Sequence, residues 1–156
     1  MTTKEIFDTM KQYLGNDVIE VVTPDAGDEY IVVNAEKILD VAQFCRDFDE
    51  FAFDYLTLLS GIDCGETLGV VYHLFSTKNH NKVVLKAFVP RENPTLHTVE
   101  RIWRAADWHE RETYDMFGIV FQEHHNLIRI LCPYDWEGYP LRKDYVAPTE
   151  YHGMPV

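Results

Sequence analysis

The sequence predicts an α+β domain: a mainly antiparallel sheet flanked by helices, followed by an extended, irregular C-terminal tail. Three observations carry this expectation. Several segments alternate apolar and polar residues at period two and are separated by short polar turns, the pattern of half-buried strands. Other segments repeat apolar residues three and four apart, the pattern of helices with one buried stripe. Beyond Leu131 both periodicities stop.

Ile6, Phe7, Met10 and Leu14 share one helical stripe, so residues 3–14 are expected to form a short helix. Val18 to Val22 reads as a strand. Thr23-Pro24-Asp25-Ala26-Gly27-Asp28 is turn chemistry, and Tyr30 to Val33 reads as the returning strand of a hairpin. A helix is expected over residues 35–48, with Ile38, Val41, Ala42 and Cys45 facing inward. Three strands should follow, at Tyr55–Asp63, Gly69–Ser76 and Lys82–Pro90. The links between them are short, which favours an antiparallel meander. In the last strand Val83, Leu85, Ala87 and Val89 share one face. Pro94 and Thr95 are expected to open a helix carrying Leu96, Val99, Ile102, Trp103 and Ala106 at helical spacing. A further helix, Trp108 to Phe117, should stop at Gly118, a residue type that tolerates the left-handed backbone past a helix end.

The chain divides into a domain over 1–132 and a tail over 133–156. The tail holds four prolines, two glycines, four tyrosines and Trp136. It is too aromatic for an ordinary solvated tail and needs a surface to lie on, either its own domain or a partner, and docking on a partner subunit is the favoured expectation.

Composition narrows the function. A hydrophobic fraction of 46% and an aromatic fraction of 13% are those of a globular protein. The net charge of −12 argues against nucleic acid and against an anionic membrane surface, since both need a cationic face. No apolar run reaches the roughly 18–20 residues that span a bilayer. The opening Met1-Thr2-Thr3-Lys4-Glu5-Ile6-Phe7-Asp8 has no apolar signal core, which suggests a cytoplasmic protein. Six of the seven arginines lie beyond residue 90, and arginine is enriched at interfaces.

Motifs for chemistry are mostly missing. Cys45, Cys64 and Cys132 form no CxxC pair, which speaks against iron–sulfur and zinc-ribbon sites. Cys64 is expected to be a small packed thiol. His124 and His125 are adjacent, with no second ligand group at useful spacing, so a surface or interface role is expected. There is no GxGxxG or GxxxxGK[ST] cradle. In Glu110-Arg111-Glu112-Thr113-Tyr114-Asp115, Arg111 and Asp115 stand at i,i+4 on a helix. One guanidinium among several acids suits an ion network better than acid–base catalysis.

The segment Glu110-Arg111-Glu112-Thr113-Tyr114-Asp115-Met116-Phe117-Gly118-Ile119-Val120-Phe121 resembles the signature of the 30 kDa subunit family of respiratory complex I, the C-type subunit of NADH–quinone oxidoreductase. The likeness extends back to Ala105-Ala106-Asp107-Trp108-His109 and on through His124, Leu127 and Arg129-Ile130-Leu131. It resumes at Asp135-Trp136-Glu137-Gly138-Tyr139-Pro140-Leu141-Arg142-Lys143-Asp144-Tyr145. One loop departs: where the family usually shows Gly-His-Pro-Asp, this chain reads Glu123-His124-His125-Asn126.

The resemblance implies a non-catalytic scaffold subunit in the peripheral arm of a proton-translocating NADH:quinone oxidoreductase. Such a subunit holds no cofactor, and FMN, iron–sulfur clusters and quinone are expected on partner subunits. Its partners would be the quinone-site (D-type) subunit and neighbouring iron–sulfur subunits, on the cytoplasmic side of the inner membrane. The equivalent subunit of a membrane-bound energy-converting hydrogenase is the alternative. No catalytic, cofactor-binding or metal-binding residue is expected. The interface or structural residues are expected on the helix at Trp108, Glu110, Arg111, Glu112, Asp115 and Gly118, then at Arg129. The tail should add Trp136, Gly138, Pro140, Leu141, Arg142, Lys143, Asp144 and Tyr145.

Overall fold

A computed structural model describes residues 1–155 of the chain. Helix α1 spans Thr3–Leu14 and opens on a capping box, in which Thr2 and Glu5 satisfy each other's backbone N–H groups. Ile6 and Met10 are buried, with Phe7 and Leu14 packed against the same core. Strands β1 (Val18–Val22) and β2 (Tyr30–Val33) form the expected antiparallel hairpin. The segment expected as one helix over 35–48 starts instead as a 3-10 turn at Ala35–Lys37. The helix proper, α2, is Ile38–Asp47. Asn34 caps the 3-10 turn, its side chain accepting from Glu36 N–H. Ile38, Val41, Ala42 and Cys45 all face inward as expected, and burial pushes the Cys45 thiol up to about 12.

Strands β3 (Tyr55–Asp63), β4 (Thr67–Phe75) and β5 (Lys82–Pro90) form the antiparallel meander. β4 starts two residues before the expected Gly69. The five strands order as β1-β2-β5-β4-β3, with β2 and β5 parallel. The parallel pairing is possible because α2, β3 and β4 lie between the two strands in sequence, which supplies the long crossover it needs. Helix α1 packs on β1, β2 and β5, and α3 (Ala106–Phe117) packs on β3. The α3–β3 approach is close: a Cβ on Gly61 would stand 2.4 Å from the Phe117 ring.

The helix expected from Pro94 to Ala106 is not formed. Thr95–His97 is a strand, β6, paired in parallel with a second strand not foreseen, β7 (Val120–Gln122). Pro94 O accepts from Val120 N–H, and Thr98 N–H donates to Gln122 O. Those cross-strand bonds take the backbone groups a helix would use. The chain then turns at Val99, whose carbonyl accepts from both Ile102 and Trp103 N–H groups. Leu96, Val99, Trp103 and Ala106 are nevertheless buried, so the spacing identified core positions but not their backbone. Trp103 Nε1–H closes the turn on Phe53 O at 2.8 Å. α3 therefore begins at Ala106, two residues before Trp108.

The tail is not wholly irregular. Glu150–Tyr151 (β8) and Met154–Pro155 (β9) form a small antiparallel hairpin. Cys64, expected to be packed, is exposed.

Candidate interface site on α3 and the C-terminal strap

The C-terminal end of α3 is where most of the expected site residues meet. Gly118 ends the helix at φ +71°, ψ 24°, the left-handed conformation expected of it, and its N–H donates to Tyr114 O at 2.8 Å. A Cβ there would stand 2.5 Å from the Tyr139 ring and 2.8 Å from Arg142 Nη2, so only glycine lets the strap lie this close. Tyr139 sits between two guanidinium groups, Arg142 at 4.7 Å and Arg129 at 5.2 Å from its ring centre. Arg142 Nε also donates to Phe117 O at 2.6 Å, an uncapped carbonyl of the helix end. Leu141 N–H donates to Met116 O in the same turn.

Asp115 is the centre of this region. Its side chain has 0% exposure. Oδ1 accepts from Arg129 Nη1 at 2.7 Å, and Oδ2 accepts from the backbone N–H groups of Ile130, Leu131 and Cys132 at 3.0, 2.7 and 2.9 Å. Burial opposes its ionisation. The bonds from Cys132 N–H, Arg129, Leu131 and Ile130 outweigh burial and hold the carboxyl below its usual range. Arg129 Nη2 continues to Gly138 O at 2.9 Å, tying the strap to the same carboxylate. The expected Arg111–Asp115 pair is absent. Arg129 takes the carboxylate because the turn at 130–132 brings three N–H donors and the guanidinium to one point. Arg111 stacks on Trp108 at 5.1 Å and donates to Ile128 O at 3.3 Å, while Glu112 is exposed.

Further along the strap, Lys143 N–H donates to Asp63 Oδ2 at 2.8 Å. Arg91 Nη2 reaches both oxygens of Asp63, at 2.7 and 2.6 Å, and Arg91 Nη1 lies 3.2 Å from Asp144 Oδ1. The Lys143 N–H bond above all, with Gly65 N–H and Arg91 adding to it against burial, holds the Asp63 carboxyl low. Trp136 Nε1–H donates to Tyr145 OH at 3.0 Å, and Gly138 passes beneath the Tyr145 ring at φ +82°. Pro140 lies half-buried between Tyr139 and Leu141. Thus residues 138–144 lie largely on their own domain. Beside exposed charges such as Glu112, Glu137, Lys143 and Asp144, several large apolar side chains face outward: Trp108 (63% exposed), Ile128, Leu131, Tyr134 and Leu141.

A second polar group lies on the other flank of α3. Glu110 is fully buried. Its Oε1 accepts from Val99 N–H at 2.8 Å, and its Oε2 bonds the Thr98 hydroxyl. Burial, reinforced by Glu100 and Asp107 nearby, pushes its carboxyl up to about 8 despite those bonds. His124 is not at the surface: its side chain has 0% exposure, with Nε2 3.3 Å from Asp107 Oδ1 and 3.5 Å from Glu100 Oε2. His125 Nδ1 lies 2.6 Å from Glu100 Oε2. One donor atom from each of Glu100, Asp107, His124 and His125 lies within 4.8 Å of the others. The expectation that no ligand group lies near the histidines therefore fails, because residues 100 and 107 reach them through the β6–β7 pairing. Neither Glu100 nor Asp63 carried a sequence signal, and Asp107 stood only within the family-like stretch Ala105–His109, with no role read for it. Arg91 was one of the clustered arginines.

The chain matches the family described as respiratory-chain NADH dehydrogenase, 30 kDa subunit, over residues 31–151. It is 43% identical over 149 residues to the C-type subunit of NADH-quinone oxidoreductase from Chloroherpeton thalassium, covering 94% of this chain and 62% of that one. It is 39% identical to the C-type subunit of Chlorobium phaeobacteroides, covering 96% and 92% respectively. A third relative of the same name, from a Roseiflexus species, is 47% identical over 80% of this chain and 73% of its own length. Among solved structures, a trypsin-resistant fragment of Nqo5 aligns with a TM-score of 0.67 at 25% identity, covering 81% of this chain and all of the fragment. A chain of a membrane-bound sulfane sulfur reductase, an archaeal respiratory membrane complex, aligns with a TM-score of 0.71 at 24% identity, over 92% of this chain and 85% of that one; this likeness is one of fold. Among the described residues, no helix is long and apolar enough to cross a membrane.

Proposed function

Because this chain belongs to the family of the 30 kDa subunit of respiratory-chain NADH dehydrogenase, we propose that it works as a non-catalytic scaffold in the peripheral arm of an NADH:quinone oxidoreductase. The carrying observation is the 39–47% identity to NADH-quinone oxidoreductase subunits of the same type from three organisms. In this reading FMN, the iron–sulfur clusters and quinone sit on partner subunits, and the chain docks beside the quinone-site subunit and its iron–sulfur neighbours. The complex holds it peripherally on the cytoplasmic side of the membrane.

The geometry supports a docking role. Arg129, Arg142 and Asp63 pin the strap to its own domain and so lower the ordering cost of binding. Trp108, stacked with Arg111, and the outward Ile128, Leu131, Tyr134 and Leu141 then offer aromatic, arginine and aliphatic groups, the usual composition of an interface core. The equivalent subunit of a related membrane-bound complex is a second reading, favoured by the fold likeness to the sulfane sulfur reductase chain.

Affinity purification of the tagged chain from native membranes separates the two. Recovery with NADH:quinone reductase activity and flavin-bearing subunits supports the first. Recovery with a hydrogenase or sulfur reductase and no NADH activity supports the second, and release as a lone chain defeats both. Arg111→Ala should lower assembled complex and quinone reductase activity together. Normal assembly with lost activity would instead indicate a direct catalytic part for this chain.

A further inference from the structure

We propose that Glu100, Asp107, His124 and His125 form a binding site for a divalent transition cation of the zinc class, beside the buried Glu110.

The donor set is two imidazole nitrogens and two carboxylate oxygens, a combination suited to tetrahedral Zn²⁺. Zinc bonds of about 2.0–2.1 Å to nitrogen and oxygen set tetrahedral ligands roughly 3.3–3.4 Å apart. His124 Nε2 stands 3.3 Å from Asp107 Oδ1 and 3.5 Å from Glu100 Oε2, already at that spacing. His125 Nδ1 is closer to Glu100 Oε2, at 2.6 Å, as a hydrogen-bonded pair would be before an ion separates them. His125 is 60% exposed, so it can give by the fraction of an ångström required.

Charge points the same way. Two carboxylates and two neutral imidazoles around a dication sum to zero. Without an ion, the same carboxylates crowd one another and Glu110, and the groups found within 4 Å to offset them are His124 and His125. Asp107 Oδ1 is buried and accepts no formed hydrogen bond; its neighbour His124 Nε2, 3.3 Å away, is turned to the Asp107 carbonyl instead, which leaves this acceptor unsatisfied at the centre of the group. Binding carries an identifiable cost. Asn126 N–H donates to His124 Nδ1 at 3.1 Å, so the free imidazole carries its proton on Nε2, 3.2 Å from Asp107 O. Loading moves that proton to Nδ1 and turns Asn126 N–H toward water, which its exposed position permits. A surface depression lined by Glu100, Arg101, Arg104 and His125 gives the ion its entry. Both arginines are exposed at its rim, where salt screens their repulsion.

The test uses the full-length chain freed of metal with a chelator, titrated with zinc chloride by calorimetry and with cobalt(II) by visible absorbance. One ion per chain is expected, with the intense absorbance of tetrahedral cobalt(II). His125→Ala touches only an exposed side chain and should weaken zinc binding by more than about tenfold, the least that even an outer-shell loss costs. Asp107→Asn should weaken it likewise, while circular dichroism of both variants stays that of the parent. Absence of binding, octahedral cobalt absorbance, or affinity indifferent to both substitutions would overturn the site.

Discussion

Asp115→Asn tests the claim that one buried carboxylate joins the helix end to the strap. Asparagine keeps the shape and can keep one oxygen on the N–H groups of Ile130, Leu131 and Cys132. Its amide nitrogen then faces Arg129 Nη1, where Asp115 Oδ1 now accepts at 2.7 Å. Donor meets donor and the pair is broken. A charge-assisted bond contributes about 1.5–3 kcal/mol, and breaking a buried pair from one side costs about 3–5 kcal/mol. We expect about 3 kcal/mol, a large part of the roughly 5–15 kcal/mol that stabilises a domain. In urea unfolding followed by tryptophan fluorescence, at a slope of about 2 kcal/mol/M, the midpoint should fall by about 1.5 M. The pH dependence has a definite sign. The folded carboxyl is held below its ordinary value, so its contribution is complete above the unfolded value of about 3.9 and is lost as pH falls through the lower folded value. The gap between parent and variant should therefore narrow only under acid conditions. An unchanged midpoint at neutral pH, or a gap equally wide in acid, would refute the assignment.

Three further substitutions probe other contacts. Gly118→Ala forces a side chain into φ +71° and against the Tyr139 ring, at about 1–2 kcal/mol for the backbone alone; trypsin should cut the strap faster, and an unchanged cleavage rate would count against strap docking. Gly61→Ala would overfill the α3–β3 contact at Phe117, with a loss of about 1–3 kcal/mol measured by thermal unfolding. Trp103→Phe removes the donor to Phe53 O and leaves a buried carbonyl unpaired, for a loss of about 1–3 kcal/mol in urea unfolding; an unaffected midpoint would mean that water replaces the indole.

Much of the fold was legible because its signals are local. The β1–β2 turn chemistry, the α1 and α2 stripes and the period-two alternation of β5 each lie within a dozen residues. The failures share one cause. Leu96, Val99, Trp103 and Ala106 carry helical spacing, yet β6 takes its backbone bonds from β7, whose three residues are too short to show a period. The i,i+4 rule paired Asp115 with Arg111, but a partner fourteen residues on, backed by three N–H groups, holds the carboxylate more strongly. Adjacent histidines looked unable to share an ion until residues 100 and 107 folded against them.

By itself the sequence determined the α+β class, the apolar faces, the turn at Gly118 and the family block from Glu110 to Tyr145. Those rest on composition, periodicity and residue type, which short-range sterics and burial translate directly into structure. Only the tertiary structure decided which acid meets which cation, that the strap lies partly on its own domain, and that His124 is buried among carboxylates. These depend on residues far apart in the chain, and the pairing energy of a carboxylate is set by whichever donors the folded backbone brings to it.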